Sequence, residues 1–250
     1  RAGLLDADNN PRDAVALACY LLVPSALLGA LVLAWTRRFE HRPLASLGLS
    51  SGGGLRGFLL GHATGMAMAT AIVIAIFSVG GYETGAVAPA FASPRALAGM
   101  ALLLIGFAVQ SGVEELLFRG WLLSVLAHRF NPLLAVVLST AVFALLHAVH
   151  RQPPVVIAGT LLFSIFASAW ALSSRRIWGV MGWHAGWNWL FGVGFGVPIT
   201  GIDAHLPALL IEMRPVGPDR ITGGVAGPEG SLFSAMLLAI GTLVLLRRVH

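Results

Sequence analysis

Charge is what this 250-residue sequence has least of: Asp, Glu, Lys and Arg together make up 11% of it, where a soluble domain carries about a quarter. A chain that is 57% hydrophobic, with a mean hydropathy of +0.82, has more apolar surface than one soluble core hides, so the composition makes it a polytopic membrane protein of one domain. Lysine is absent. Sixteen arginines carry the positive charge, and they sit mostly in short segments between apolar runs rather than on one polar face. That is an orientation signal, and it excludes a nucleic-acid partner. Cysteine occurs once, as Cys19 within an apolar run, which rules out an intrachain disulfide or a cysteine metal cluster and leaves an inert buried thiol. No cleavable signal is visible, and the start at Arg1 is compatible with further residues, even a further span, upstream.

What is present is apolar sequence in segments of helix length, at about 14–36, 57–79, 96–127, 132–150, 155–173, 178–196 and 231–246. The expected fold is all-α, a bundle of about seven spans around a polar intramembrane cavity. Residues 1–13 read as a polar loop that caps the first span, and Pro24 should bend that span. Gly57, Gly61 and Gly65 form a small-residue stripe that lets another helix approach the second span closely, with His62 beside it as a packing or cavity-lining residue. Ser93-Pro94 is a helix start, a capping residue followed by proline at the first position. The third segment is roughly 48 Å long, too long for a ~30 Å hydrocarbon core unless it tilts, projects beyond it or breaks near Gly112.

Left unbroken, it puts the connectors bearing Arg37/Arg38/Arg42/Arg56, Arg129, Arg175/Arg176 and Arg247/Arg248 on one side, the cytoplasmic one by the positive-inside rule. The Gly/Pro-rich loop 197–230 then lies outside, and within it Asp203–Met213 could form a short interfacial helix. The chain divides into an N-terminal region of two spans (1–95), a central group of helices (96–196), that loop, and a last span (231–250).

The polar residues inside the spans carry the functional signal. Glu114, Glu115 and Arg119 fall within six positions, and each ionisable group at the bilayer centre costs about 2.5 kcal/mol or more, so they must be paired, hydrated or used. On a helix, Glu115 and Arg119 are about 40° apart in the favoured acid-before-base order, while Glu114 lies about 140° from Arg119 and needs a partner from elsewhere. His147 ends the run Phe143-Ala-Leu-Leu-His147, and His184 and Asn188 share a face at i, i+4. Counted from the 127–132 connector, Glu114 and His147 both sit roughly 20 Å up an antiparallel hairpin, whereas His184 is only about 10 Å beyond Arg176 and matches less well.

Carboxylate, two imidazoles and an amide are the parts for adding water to an amide bond. Glu114 would take a proton from water and return it to the leaving amine, with His147 holding or polarising that water. His184 and Asn188 would donate to the oxyanion, and Glu115 with Arg119 would fix the helix. The competing readings are a structural ion-pair cluster for Glu114/Glu115/Arg119, hydrogen-bonded packing for the histidines, and interhelical glue for Asn188. The tryptophans read as interfacial anchors or packing, Phe143 as core packing, and Asp203, Glu212 and Asp219 as solvated loop charges.

Glu114-Glu115-Leu-Leu-Phe-Arg119, Phe143-Ala-Leu-Leu-His147 and His184-Ala-Gly-Trp-Asn188 resemble, in order and spacing, the EExxxR, FxxxH and HxxxN motifs of the CPBP family of CaaX-processing and bacteriocin-processing (Abi) intramembrane endopeptidases, which includes the type II CaaX prenyl endopeptidases. The resemblance covers about 96–196 and implies an intramembrane protease in which Glu114 and His147 activate water and His184 with Asn188 forms the oxyanion site. It leaves the cofactor open between none and zinc: a metal would have Glu114, His147, His184 and, at the end of the span, His150 as ligands, but this set lacks the tight HExxH spacing of zinc proteases, so a metal-free reaction is expected. The expected partners are the lipid bilayer and a membrane-associated protein or peptide substrate. The alternatives are a non-catalytic immunity or scaffold protein and a small-molecule transporter, the latter without visible inverted repeats. The arginine-only, alanine- and glycine-rich composition points to a GC-rich bacterium and its inner membrane, where a peptide precursor, an anti-sigma factor or a C-terminal sorting signal is a more natural substrate than a prenylated tail.

Overall fold

In the computed structural model, which describes residues 11–148, 154–203 and 206–247, all seven apolar segments are helical, and several begin at side chains that satisfy the free amides of a first turn. The Asp13 carboxylate accepts from the amides of Val15 (3.0 Å) and Ala16 (2.9 Å) to start α1 (Ala14–Arg38), which runs through Pro24. After α2 (Gly54–Ser78), Ser93 takes the Ala96 amide and Pro94 opens α3 (Pro94–Glu115) as the dipeptide predicts. The helix then neither stops nor stays regular: a π-helical stretch, Leu116–Leu122, carries it into α4 (Leu123–Arg129). Asn131 caps α5 (Pro132–Ala148), and α6 (Pro154–Ser174) and α7 (Trp178–Trp189) follow, α7 continuing as a second π-helical stretch over Leu190–Gly194. A single turn, α8 (Asp219–Thr222), precedes α9 (Leu232–Leu246), capped by Ser231.

Helices occupy the positions of all seven expected spans, but among the described residues only four, Ala14–Arg38, Gly54–Ser78, Pro94–Arg129 and Pro154–Ser174, are long and apolar enough to cross a membrane. Pro132–His147 and Leu232–Leu246 are shorter, and α7 is shorter again. For α7 the reason is visible: every residue from Val180 to Asn188 is buried, so it is a core helix sheathed by the others rather than one that faces lipid.

The loops depart from an all-α reading. Tyr82–Val87 (β1) pairs antiparallel with Ile211–Pro215 (β2), Tyr82 opposite Pro215 and Val87 opposite Ile211, so the segment expected as an interfacial helix at Asp203–Met213 ends as a strand. The Tyr82 hydroxyl, buried beneath this ribbon, donates to the Thr222 carbonyl at 3.1 Å. Glu212, expected as a solvated loop charge, instead lies half-buried in β2, paired with Arg214 at 3.1 Å and held below its ordinary value by that hydrogen bond and one from the Ala86 amide.

The basic connectors gather at the opposite end. Arg176 donates to the Gly52 carbonyl, the Ile177 amide to Gly48, and Arg42 to Ser124 of α4, while Glu40 accepts from Trp121. The 39–53 connector thus packs on both α4 and the start of α7. Between the ends, the predicted glycine stripe meets α7 so closely that the backbones touch. A Cβ added at Gly61 would lie 1.9 Å from the Gly179 carbonyl oxygen, one at Gly65 2.1 Å from that of Trp183, and one at Gly182 1.9 Å from that of Phe58.

Candidate active site

The two carboxylates of Glu114-Glu115 leave α3 about 100° apart and so meet different surroundings. Glu115 is wholly buried: its Oε1 accepts from Arg119 Nη1 at 3.1 Å and stands 2.8 Å from His184 Nδ1. A carboxylate only accepts, so in this contact His184 carries its proton on Nδ1. The other ring nitrogen, Nε2, lies 3.9 Å from Glu114 Oε2. One imidazole therefore spans the pair of acids. Glu114 keeps 25% of its side-chain surface exposed, against 0% for Glu115, which makes Glu114 the acid that water can reach.

His184 reaches this level because α7 starts deeper than its place in the sequence suggests. Ile177 is tied to Gly48 and its side chain lies against Gly120, not against the end of α4 at Arg129. Measured from Gly120, Glu115 lies five residues away and His184 lies seven from Ile177, so the depth mismatch read from the sequence disappears.

Arg119 lies in the π-helical stretch, its side chain completely buried. Its guanidinium carbon stands 4.5 Å from the centroid of Phe143, so the aromatic residue of the second motif supports the charged one of the first through a cation–π contact. Phe143 also meets Phe118 edge-on at 4.9 Å, His147 at 4.3 Å and Phe163 in parallel at 6.2 Å. Phe163 of α6 in turn meets His184 edge-on at 4.7 Å. An aromatic floor thus joins the helices of all three motifs. Both π-helical stretches adjoin a motif, the first beginning inside it at Leu116 and carrying Arg119, the second starting just after Asn188-Trp189, and such irregularities concentrate at functional sites.

Asn188 is buried and donates from Nδ2 to Ser111 Oγ at 3.4 Å; Ser111 donates to Gln110 Oε1 at 3.1 Å, and the Gln110 amide donates to Glu114 Oε1. The structure thus joins Glu114, Glu115, Arg119, His184 and Asn188 in one network. His147 stands apart from it. Its Nδ1 contacts the Phe143 carbonyl of its own helix at 2.8 Å, which makes Nδ1 the donor, Nε2 has no hydrogen bond among the described residues, and its link to the network runs through the Phe143 ring. His150 lies outside the described residues. The tryptophans on α7 are packing rather than interfacial: Trp183 and Trp187 are fully buried.

These donors fit a zinc ion poorly. Among the described residues, no three His, Cys, Asp or Glu side chains are grouped as a metal ion requires, and the buried carboxylate is engaged by Arg119 and His184.

Sequence reasoning passed over Gln110 and Ser111, whose signal was available: polar residues one turn before Glu114 in an otherwise apolar run. It also passed over Phe163, for which a phenylalanine in an apolar helix gives no signal.

Residues 96–190 match the family model described as Type II CAAX prenyl endopeptidase Rce1-like, a protease family, in agreement with the resemblance carried by the three motifs. No curated protein matches the chain, and no solved structure does.

Proposed function

We propose, from a segment 96–190 that matches the Rce1-like type II CAAX prenyl endopeptidases, that this chain is an intramembrane endopeptidase which hydrolyses a peptide bond in a membrane-associated protein or peptide with water activated by Glu114. The observation that supports this most is His184 spanning two acids of which one is buried and paired and the other is accessible. A water held about 2.8 Å from both Glu114 Oε2 and His184 Nε2 fits a gap of 3.9 Å.

As that water attacks, its oxygen bonds to the scissile carbonyl carbon and its proton passes to Glu114 Oε2. The carbonyl oxygen becomes an oxyanion. His184 in its doubly protonated form donates Nε2–H to it, Nδ1–H remaining on Glu115, and the second N–H of the Asn188 amide is the other donor. Collapse breaks the C–N bond, the proton on Glu114 moves to the leaving nitrogen, and the products are a carboxylic acid and an amine. Glu115 and Arg119 stay outside the proton transfers and hold the His184 ring, Nδ1–H remaining on Glu115 and Nε2–H facing the reacting carbonyl. His147, on the same aromatic floor and with Nδ1 taken by the Phe143 carbonyl, is assigned on its Nε2 side to helping polarise the water.

The membrane is the setting for this reaction. The basic end is read as cytoplasmic by the positive-inside rule, and the β1–β2 end as facing outward. The test is comparative proteomics of membranes from cells carrying the wild-type chain or Glu114→Gln: one precursor should accumulate uncleaved in the variant. Loss of acid–base function should slow its turnover by about 10²–10⁴-fold. Identical proteomes would favour the non-catalytic scaffold.

A further inference from the structure

The accessible acid is not free on both of its oxygens. We infer that Gln110, with Ser111 behind it, is a positioning residue that pins Oε1 of Glu114 and so reserves Oε2, the oxygen facing His184, for the proton of the attacking water. This rests on the peptidase reading above and deepens it.

The chemistry of the contacts fixes their direction. Glu114 accepts when ionised, so Gln110 must present its amide nitrogen to Glu114 Oε1 and its carbonyl to Ser111. A flipped amide would set two acceptors against one another. Ser111, fully buried, gives its one proton to Gln110 and accepts from Asn188 Nδ2 at 3.4 Å. The four groups form a chain in which each donates toward Glu114, and hydrogen bonds aligned in this way polarise one another. The geometry has two consequences. Rotation of the Glu114 carboxylate is restrained, so the proton it takes up goes to Oε2, the oxygen 3.9 Å from His184 Nε2, rather than to the side turned along α3. Asn188, which the reaction uses as an oxyanion donor, is held by the same relay, so the base and that donor keep a fixed separation.

The full chain, reconstituted in liposomes and given an internally quenched prenylated CaaX peptide, reads this. Gln110→Ala and Ser111→Ala should each lower kcat about tenfold with KM changed less than twofold and the thermal midpoint unchanged, while Ser111→Thr, which keeps the hydroxyl, should remain near wild type. The Gln110→Ala/Ser111→Ala double variant should cost no more than one single, because both break one relay; independent packing roles would multiply. A readout without substrate is the rate at which a hydrophobic carbodiimide labels Glu114 at one fixed pH. It should rise severalfold in Gln110→Ala and Ser111→Ala and stay unchanged in Ser111→Thr.

Equal labelling in all four proteins, or multiplicative losses in kcat, would overturn the relay. If Glu114→Gln cleaves the peptide at the wild-type rate, the peptidase reading fails instead, and the labelling result still decides whether Gln110 holds the carboxylate.

Discussion

The two long faces of α7 are built by opposite means. Toward α2 the helix shows glycine, and the chains approach until backbone meets backbone: a Cβ at Gly186 would lie 2.2 Å from the His62 carbonyl oxygen. Toward α3 and α6 it shows His184 and Asn188, held by side chains that reach across a wider gap. The first face tolerates no added atom and rests on the direct approach of the two backbones. The second depends on polar atoms whose contacts are few and individually replaceable. A site that must be held to within fractions of an ångström therefore borrows its rigidity from a seam containing none of its chemistry.

Breaking the seam should have the largest effect. Gly182→Val puts side-chain atoms where the Phe58 carbonyl and, 2.8 Å away, the His62 amide now stand, and the helices must separate or α7 must rotate. The expected loss is more than about 4 kcal/mol, the range reached by severe core disruption, read as failure to obtain a monodisperse protein in detergent. Gly52→Ala is the control: nothing lies within 4 Å of the added carbon, and its thermal midpoint should match wild type.

Breaking the polar face through Glu115 comes next. Glu115→Ala leaves Arg119 buried and unpaired, an arrangement that costs about 3–5 kcal/mol. Replacing both members, as Glu115→Leu with Arg119→Met, removes the stranded charge and should recover most of the thermal stability. Activity should not recover with it, since His184 Nδ1 loses the acceptor that holds its ring. A double variant that regained both would show that the pair is structural and that His184 needs no orienting group.

These two faces also differ in how far the sequence reveals them. The glycine stripe, the motif residues, the Ser93 cap and the seven helical segments are local patterns, and local patterns survive the step from sequence to structure. The pairing of Tyr82–Val87 with Ile211–Pro215 is a contact between distant segments, and the apolar residues near Ile211, taken alone, read as helix. The level of His184 is not legible from helix length alone, because Ile177 at the start of α7 lies against Gly120 and not at the end of α4. The hydrogen bond from Ile177 to Gly48 draws the connector at Arg176 inward, and no periodicity encodes it. Arg119 could be assigned to Glu115 by spacing, but its seat on Phe143 joins α5 to the π-helical stretch and needed coordinates.

That seat can be tested with a smaller change. Phe143→Leu keeps the volume apolar but removes the ring face beneath the guanidinium and the edge contact with Phe118. A desolvated cation–π contact and an aromatic pair together come to about 2 kcal/mol, so the thermal midpoint should fall by several degrees. The loss should shrink in the Glu115→Leu/Arg119→Met background, where no cation remains to be supported; a double-mutant cycle measures the difference.

The smallest effect is expected at the far end of α7, where the polar face meets the outer loop. Glu229 accepts from the Trp187 indole at 2.7 Å and from the Thr200 amide (2.8 Å) and hydroxyl (2.7 Å), so one loop carboxylate ties the helix between His184 and Asn188 to the segment after the second π-helical stretch. Glu229→Gln keeps one acceptor oxygen for the Thr200 amide and hydroxyl but turns its NH2 toward the Trp187 indole, so one hydrogen bond is lost, a change of about 1–2 kcal/mol. If α7 is positioned chiefly by its glycine seam, this variant should lower the thermal midpoint by a few degrees and leave kcat within twofold of wild type. A tenfold fall in kcat at an unchanged midpoint would mean that the outer loop sets the register of His184, and the seam would no longer account for the site's rigidity on its own.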